Sequence, residues 1–357
     1  MELVDLRSDT VTQPTPAMRE AMERAAVGDD VYGEDPTINR LQELAASLVG
    51  QEAGLFVPSG TMGNLIAVLA HCQRGDEVIL GTKAHTYLYE AGGISALGSV
   101  HSCQIPNQPD GTLALEAIEA AIRPDDAHHP ITRLVTIENT HNRCGGVALT
   151  PEYTRSVSEL ARRRGLRLHV DGARIFNAAV VQGVSARDLV GMTDSVTFCL
   201  SKGLCAPVGS VLCGSREFIH QAHRIRKQLG GGMRQAGILA AAGIVALETM
   251  VDRLAEDHRR ARMLADGLRG LPGLELDPAV PYTNMVFLNL TGEAAEAQPA
   301  LEGSVSPTGR VAARLSEFGV RVGVAGKLRF RLVTHYWVND QHIQQSIEAF
   351  RAVLTTV

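Results

Sequence analysis

The sequence predicts an α/β protein in which a large, mostly parallel sheet is followed by a smaller α+β region. Two observations carry that expectation. From Gly54 to Gln228, short apolar runs alternate with amphipathic helical stretches, the pattern of parallel strands covered by helices on both faces. After Pro272-Gly273 the alternation gives way to strand, helix, extended run, strand and helix, which suits a second and smaller layer. The expected organisation is an N-terminal arm over residues 1–15, a large domain over 16–250 and a small C-terminal domain over 251–357.

In chain order, Leu3 to Val11 reads as an extended arm, and Pro16 to Ala26 and Thr37 to Val49 as helices. Between the helices, Gly28 to Pro36 is rich in breakers and acid, as a surface loop is. Gly54 to Val57 reads as a short strand, Pro58-Ser59-Gly60-Thr61 as a small-residue turn, and Leu65 to Cys72 as a buried helix. Strands are expected at Glu77–Gly81, Arg133–Glu138, Leu166–Val170, Ser195–Leu200 and Ser210–Cys213, and helices at Leu113–Arg123, Pro151–Arg164 and Arg216–Gln228. One long helical tract runs from Met233 to about Leu271 and is Ala-rich from Ala236 to Ala246. The last region reads as strand Tyr282–Leu290, mobile polar loop Thr291–Pro307, helix Val305–Phe318, extended Gly319–Val324, strand Leu328–Thr334 and helix Asn339–Leu354.

Composition narrows the class. A net charge of −5 gives no reason to expect a nucleic acid or an anionic membrane as partner. No apolar run reaches the length of a membrane span, and the acidic, mixed start MELVDLRSDT is unlike a signal peptide. Cys72, Cys103, Cys144, Cys199, Cys205 and Cys213 are scattered without a CxxC pair, which suits reduced thiols in a cytoplasmic protein. His128-His129, beside Asp125, Asp126 and Pro130, reads as an exposed turn, and no metal site is expected.

The chemistry concentrates where strands end. Lys202 is the lone Lys or Arg between Asp194 and Ser215 and follows the apolar run Ser195–Leu200. Such an amine either snorkels out of the strand end or serves as a Schiff-base lysine. Asp171 closes another apolar run 31 residues earlier (202 − 171). A carboxylate and a lone lysine at two strand ends suit pyridoxal phosphate, with Asp171 on the pyridinium nitrogen and Lys202 on the aldehyde. Ser59, Gly60 and Thr61 open a helix, where unpaired N–H groups favour an anion such as a phosphate; the same triplet is also a good N-cap. His85 follows the Glu77–Gly81 strand and His141 follows Glu138, so both imidazoles are placed to stack on a ring or move protons. Arg174 starts a helix three residues after Asp171, within reach of the ring oxygen or a substrate carboxylate. Arg331 is a charge in an apolar strand, calling either for a substrate carboxylate or for an internal salt bridge.

Nine segments together carry a resemblance: Leu6–Thr12, Gly28–Pro36, Phe56–Asn64, Ala84–Gly93, Glu138–Asn142, His169–Ala178, Leu200–Ser210, Gly230–Gly237 and Arg331–His335. Through them the chain resembles, nearly end to end, the low-specificity L-threonine aldolases of the aspartate-aminotransferase-like (fold-type I) pyridoxal-phosphate enzymes. The resemblance implies a PLP-dependent transferase-like fold with a mostly parallel seven-stranded sheet and a smaller C-terminal α+β domain. It implies reversible retro-aldol cleavage of L-threonine or L-allo-threonine to glycine and acetaldehyde, by a cytoplasmic homotetramer built as a dimer of dimers. It assigns the Schiff base to Lys202, the ring nitrogen to Asp171, the phosphate to Ser59, Gly60 and Thr61, ring stacking to His85, and the substrate carboxylate to Ser8, Arg174 and Arg331. Arg234 is assigned to a neighbouring subunit's phosphate. The base for the β-hydroxyl proton is left between His85 and His141. A phenylserine-type aldolase, an aminotransferase and a β-eliminating lyase would use the same apparatus and stay open as alternatives.

Overall fold

The computed structural model describes residues 3–292 and 306–355. Backbone contacts divide the chain into two compact units, Gln13–Asp252 and the pair Met1–Thr12 with Arg253–Val357. In chain order the strands are β1 Val4–Leu6, β2 Ala53–Val57, β3 Glu77–Gly81, β4 His101–Ile105, β5 Thr132–Glu138, β6 Arg167–Asp171, β7 Ser195–Cys199, β8 Ser210–Gly214, β9 Leu274–Leu276, β10 Met285–Leu290, β11 Val320–Gly326 and β12 Arg329–Val333.

The larger unit is built on a seven-stranded sheet in the order β2-β8-β7-β6-β5-β3-β4. β8 runs antiparallel to both neighbours, and the other pairs are parallel. Every residue of β3, β7 and β8 is buried, as in sheets covered on both faces, and the buried set includes the polar Glu77, Ser195, Thr197 and Ser210. Helix Gly60–His71 crosses β6, β7 and β8. Two of its glycines permit that approach: a Cβ on Gly63 would come within 2.5 Å of Thr197, and one on Gly60 within 2.9 Å of Cys199 Sγ. N-caps set helix starts where the sequence places small hydroxyls, with Ser59, Thr150 and Ser215 each accepting a backbone N–H three residues on.

Three features depart from the sequence expectations. β4 is a strand that the sequence reading passes over, because His-Ser-Cys-Gln-Ile is polar at an exposed sheet edge. β9, three residues long, is too short to give a periodic signal. The tract from Met233 to Leu271 is two helices, Gly237–Thr249 and Leu254–Leu268, interrupted at Met250–Arg253 without any Gly or Pro to announce it. Helix Gly237–Thr249 is apolar all round and packs on helices Pro16–Glu23 and Pro36–Val49.

The smaller unit holds a five-stranded sheet in the order β1-β11-β12-β10-β9. β1 pairs in parallel with β11, and the remaining pairs are antiparallel. The expected N-terminal arm is therefore a paired edge strand, followed by a 3-10 turn at Asp9–Val11 capped by Ser8. Its core joins Leu6, Leu264, Leu288, Phe330, Ile343 and Phe350. Each such side chain contributes roughly 1.5–3 kcal/mol by leaving water. Residues 293–305, within the loop read at Thr291–Pro307, lie outside the described residues. Among the described residues no helix is long and apolar enough to cross a membrane. The six cysteines are free thiols, five of them buried. His128 is exposed and bonded to Asp126 at 2.6 Å, as its turn composition suggests.

Candidate active site

The parallel strands of the larger unit gather their carboxyl ends on one sheet edge. Ser59-Gly60-Thr61 follow β2, His85 follows β3, Glu138 ends β5, Asp171 ends β6, and Lys202 lies three residues past β7. That edge is where open α/β sheets bind ligands. Register aligns it further, pairing Glu138 with Asp171 and Asp171 with Thr197.

At its centre is a buried acid cluster. Asp171 is 5% exposed; its Oδ1 accepts the Ala173 N–H at 3.1 Å and its Oδ2 accepts from Asn64 Nδ2 at 3.0 Å. Asn64 Nδ2 also donates to Glu90 Oε1 at 2.9 Å, so one amide bridges two carboxylates. His85 places Nδ1 2.9 Å from the same Glu90 oxygen, and its backbone N–H is fixed by Glu138 Oε2 at 2.8 Å. Burial pulls the His85 pKa down, but the Glu90 hydrogen bond and the charges of Asp171, Glu90 and Glu138 outweigh it and set the pKa above the usual histidine range. Glu90 is pushed above the usual carboxylate range, chiefly by burial and also by Asp171, against the bonds from His85 and Asn64. Its second oxygen, Oε2, is buried without a hydrogen-bond partner.

His141 is also buried, at 1% exposure. Asn107 fixes its tautomer: Asn107 Oδ1 takes the Lys83 N–H, so its Nδ2 faces His141 Nε2 at 3.1 Å and that nitrogen accepts. His141 Nδ1 then carries the proton, 4.0 Å from Glu138 Oε1 and without a hydrogen-bond partner.

The remaining sequence candidates divide between the units. Lys202 is half-buried, and its carbonyl accepts the Cys205 N–H at 2.9 Å. Ser59 Oγ caps helix Gly60–His71 by accepting the Met62 N–H at 3.2 Å. The N–H groups of Gly60 and Thr61 fall in the first turn, before the helix supplies carbonyl acceptors. Arg174 is buried at the start of helix Ile175–Gln182. Arg234 is exposed and bonds Asp29 of its own chain at 3.0 Å. Ser8 and Arg331 belong to the smaller unit. Ser8 caps the turn after β1, and Arg331 is half-buried rather than enclosed, with Nη2 3.3 Å from the Arg7 carbonyl.

Sequence reading assigned no role to Asn64, Glu90 or Glu138. Asn64 was legible as the lone amide in a helix otherwise apolar from Leu65 to Ala70, whereas Glu90 sits in a short stretch whose conformation gives no periodic clue.

The donor set fits pyridoxal phosphate. Asp171 is a buried carboxylate at the ligand-binding edge, held by neutral N–H donors, which suits a cation arriving with a ligand. A helix N-terminus and a lysine lie at the same edge. His85 Nδ1 and oxygens of Glu90 and Asp171 also fall within 4.8 Å of one another, a spacing that could gather a metal ion. The Asn64 amide, however, points its hydrogens at both carboxylates, where a metal would need their lone pairs.

Comparison with known proteins shows the family. Residues 5–292 match the family model described as beta-eliminating lyase. The chain is 48% identical over 360 residues to low-specificity L-threonine aldolase 1 of Arabidopsis thaliana, covering 100% of this chain and 98% of that protein. It is 52% identical over 297 residues to the low specificity L-threonine aldolase of Escherichia coli K12, covering 83% and 87% of the two. Among solved structures, a Leishmania major threonine aldolase superposes with a TM-score of 0.80 at 22% identity, covering 98% of this chain and 99% of that one, a likeness of fold.

Proposed function

The chain belongs to the beta-eliminating lyase family, among its low-specificity L-threonine aldolases, and from that premise we propose that it cleaves L-threonine and L-allo-threonine reversibly to glycine and acetaldehyde. The observation that carries this reading furthest is Asp171, buried at the carboxyl edge and supported by Asn64 and Ala173. Pyridoxal phosphate, when bound, supplies the electron sink for the pair left on Cα as the Cα–Cβ bond breaks.

The chain's own residues do the rest. Asp171 holds a negative charge for the ring nitrogen and keeps a proton there. Lys202 supplies the amine for the aldehyde. Ser59, Gly60 and Thr61 bind the phosphate at the helix N-terminus, where N–H groups and the helix dipole favour an anion. Arg174 pairs with the substrate carboxylate, and Ser8 and Arg331 share that role on the strength of the family resemblance. Arg234, bonded to Asp29 within its own chain, turns to a neighbouring subunit's phosphate in a cytoplasmic homotetramer. Sedimentation at four times the chain mass of 38.2 kDa checks that assembly.

His85 is the base for the β-hydroxyl proton. With Nδ1–H donating to Glu90, its Nε2 presents the lone pair that accepts the proton, and Glu90 stabilises the imidazolium that forms. In His141 the corresponding lone pair is already taken by Asn107, so His141 orients rather than abstracts. Acetaldehyde then leaves, and Cα takes up a proton to give glycine.

A coupled assay tests the reading. Protein with pyridoxal phosphate is given L-threonine, L-allo-threonine or D-threonine, and acetaldehyde is followed through alcohol dehydrogenase and NADH. Acetaldehyde from the L isomers is expected. Its absence, with cofactor bound, would overturn the substrate and turn attention to β-aryl serines and amino acceptors.

A further inference from the structure

Behind the acid cluster lies a line of polar side chains, buried except for half-buried His71 at its end, that the proposed chemistry does not use. Asn64 and His71 stand seven residues apart on helix Gly60–His71, hence on one face of it. His169 and Ser195 are register partners on β6 and β7. Their side chains join end to end: His71 Nε2 to Ser195 Oγ at 2.8 Å, Ser195 Oγ to His169 Nδ1 at 2.9 Å, His169 Nε2 to Asn64 Oδ1 at 3.2 Å, and Asn64 Nδ2 to Asp171 Oδ2 at 3.0 Å. The line runs from the carboxyl edge to the opposite edge, where His71 stacks on Phe218 with ring centroids 4.5 Å apart. There His71 lines a cleft of about 440 Å³ with Gln51, Arg167, Asp194 and Phe218.

The direction of each hydrogen bond is determined. Both Asn64 amide hydrogens face carboxylates, Asp171 and Glu90, so its Oδ1 must face His169. His169 Nε2 therefore carries a proton. Burial pushes His169 down to about 4, against the pull of Asp171 and Ser195, and pushes His71 down to about 3, with the positive charges of His169 and Arg167 adding to it. Both rings are neutral near pH 7, which leaves His169 Nδ1 bare. Ser195 must donate its hydroxyl hydrogen to that nitrogen and accept from His71 Nε2–H.

We infer that His71, Ser195 and His169 are positioning residues for the ring-nitrogen site. They form a one-way hydrogen-bond chain that selects the His169 Nε2–H tautomer, locks the Asn64 amide and so presents its hydrogens to Asp171. This inference rests on the assignment of Asp171 to the ring nitrogen. Without Ser195 the His169 proton is free to sit on Nδ1. Nε2 would then demand an amide N–H from Asn64, and the flipped amide would turn its oxygen on the two carboxylates.

Two nitrogen-15 spectra test this. In cofactor-free protein carrying nitrogen-15 histidine, His169 should show a protonated Nε2 and a bare Nδ1, and Ser195→Ala should shift it towards the other tautomer. In holoenzyme loaded with nitrogen-15 pyridoxal phosphate, Ser195→Ala and His71→Phe should move the ring nitrogen towards its unprotonated shift. Both should lower kcat by about tenfold, one hydrogen bond's worth, with KM for L-threonine unchanged. His71→Gln, which keeps a donor for Ser195, should restore wild-type values. A wild-type His169 protonated on Nδ1 overturns the chain without recourse to any variant, as does an unchanged ring-nitrogen shift in Ser195→Ala. Failure of the underlying assignment looks different: the His169 tautomer is as expected, yet Asp171→Asn leaves the ring-nitrogen shift where it was.

Discussion

Two of the aspartates that the larger unit buries, Asp30 and Asp171, keep contrasting company. Asp30, 6% exposed, takes Arg226 Nη2 on its Oδ2 at 2.6 Å, and Arg226 is itself 1% exposed and donates to the Phe56 carbonyl. Asp171, buried to the same degree, takes an amide hydrogen and a backbone N–H. A buried charge must be compensated. Asp30 is compensated by its own chain and is therefore architecture. Asp171 takes its two hydrogen bonds from neutral N–H groups, which orient the carboxylate at the strand end, the arrangement that the proposed pairing with a ligand's cation uses. The difference separates two carboxylates that burial alone would rank as equals.

Removing the proposed covalent anchor tests the ligand side of that contrast most severely. Lys202→Ala should lower kcat by at least about 10⁴-fold in the acetaldehyde assay, and residual turnover near the wild-type rate would end the scheme. The paired substitution Asp171→Asn against Asp30→Asn addresses the contrast directly. Asp171→Asn should cost roughly 10²–10³-fold in kcat while the thermal midpoint of the cofactor-free protein holds or rises. Asp30→Asn strands the Arg226 guanidinium and should cost about 3–5 kcal/mol of stability, read as a lower midpoint, with the activity of the surviving folded fraction near normal. If the two variants exchanged these behaviours, the distinction between architectural and ligand-directed carboxylates would collapse.

A finer test bears on His85. Glu90 is one of the groups raising its pKa, and the base must be unprotonated to act. Glu90→Gln removes that charge, so His85 should lose its proton at lower pH and the acid limb of kcat/KM should move to lower pH. An unmoved limb would transfer the base role elsewhere. The smallest effect is expected at Ser59→Ala, which removes a helix cap worth about 1 kcal/mol and one hydroxyl of the proposed phosphate site. A rise in the concentration of pyridoxal phosphate needed for half-saturation, with kcat unchanged at saturating cofactor, is the outcome to look for.

Much of this was legible in the sequence, for an identifiable reason. Asp171, Lys202, Glu138 and His141 stand at or just past the ends of buried apolar strands, and parallel sheets deliver strand ends to one edge. The seven-stranded, mostly parallel sheet followed from the same alternation and from the family resemblance. What stayed hidden depends on three-dimensional neighbours. Asn64 bridges Glu90 and Asp171 from positions 26 and 107 residues away in the chain, and no spacing rule links them. β4 escaped because an edge strand need not be apolar. The interruption at Met250–Arg253 escaped because the change from one compact unit to the other occurs there without a breaker residue. Ser8 and Arg331 were singled out by resemblance and by residue type, and their surroundings in the smaller unit establish a turn cap and a half-buried guanidinium.

The pairing of β1 with β11 has a consequence for biosynthesis. Val4 is made before the whole of the larger unit, yet its register partner, Val320, is made after it. At roughly 5–20 residues per second, the nascent segment waits tens of seconds for its partner to be made. During that interval Val4 and Leu6, which end at 1% and 0% exposure, have no native sheet edge to join. The smaller unit is thus closed from two segments made far apart in time, after the intervening larger unit has had time to fold.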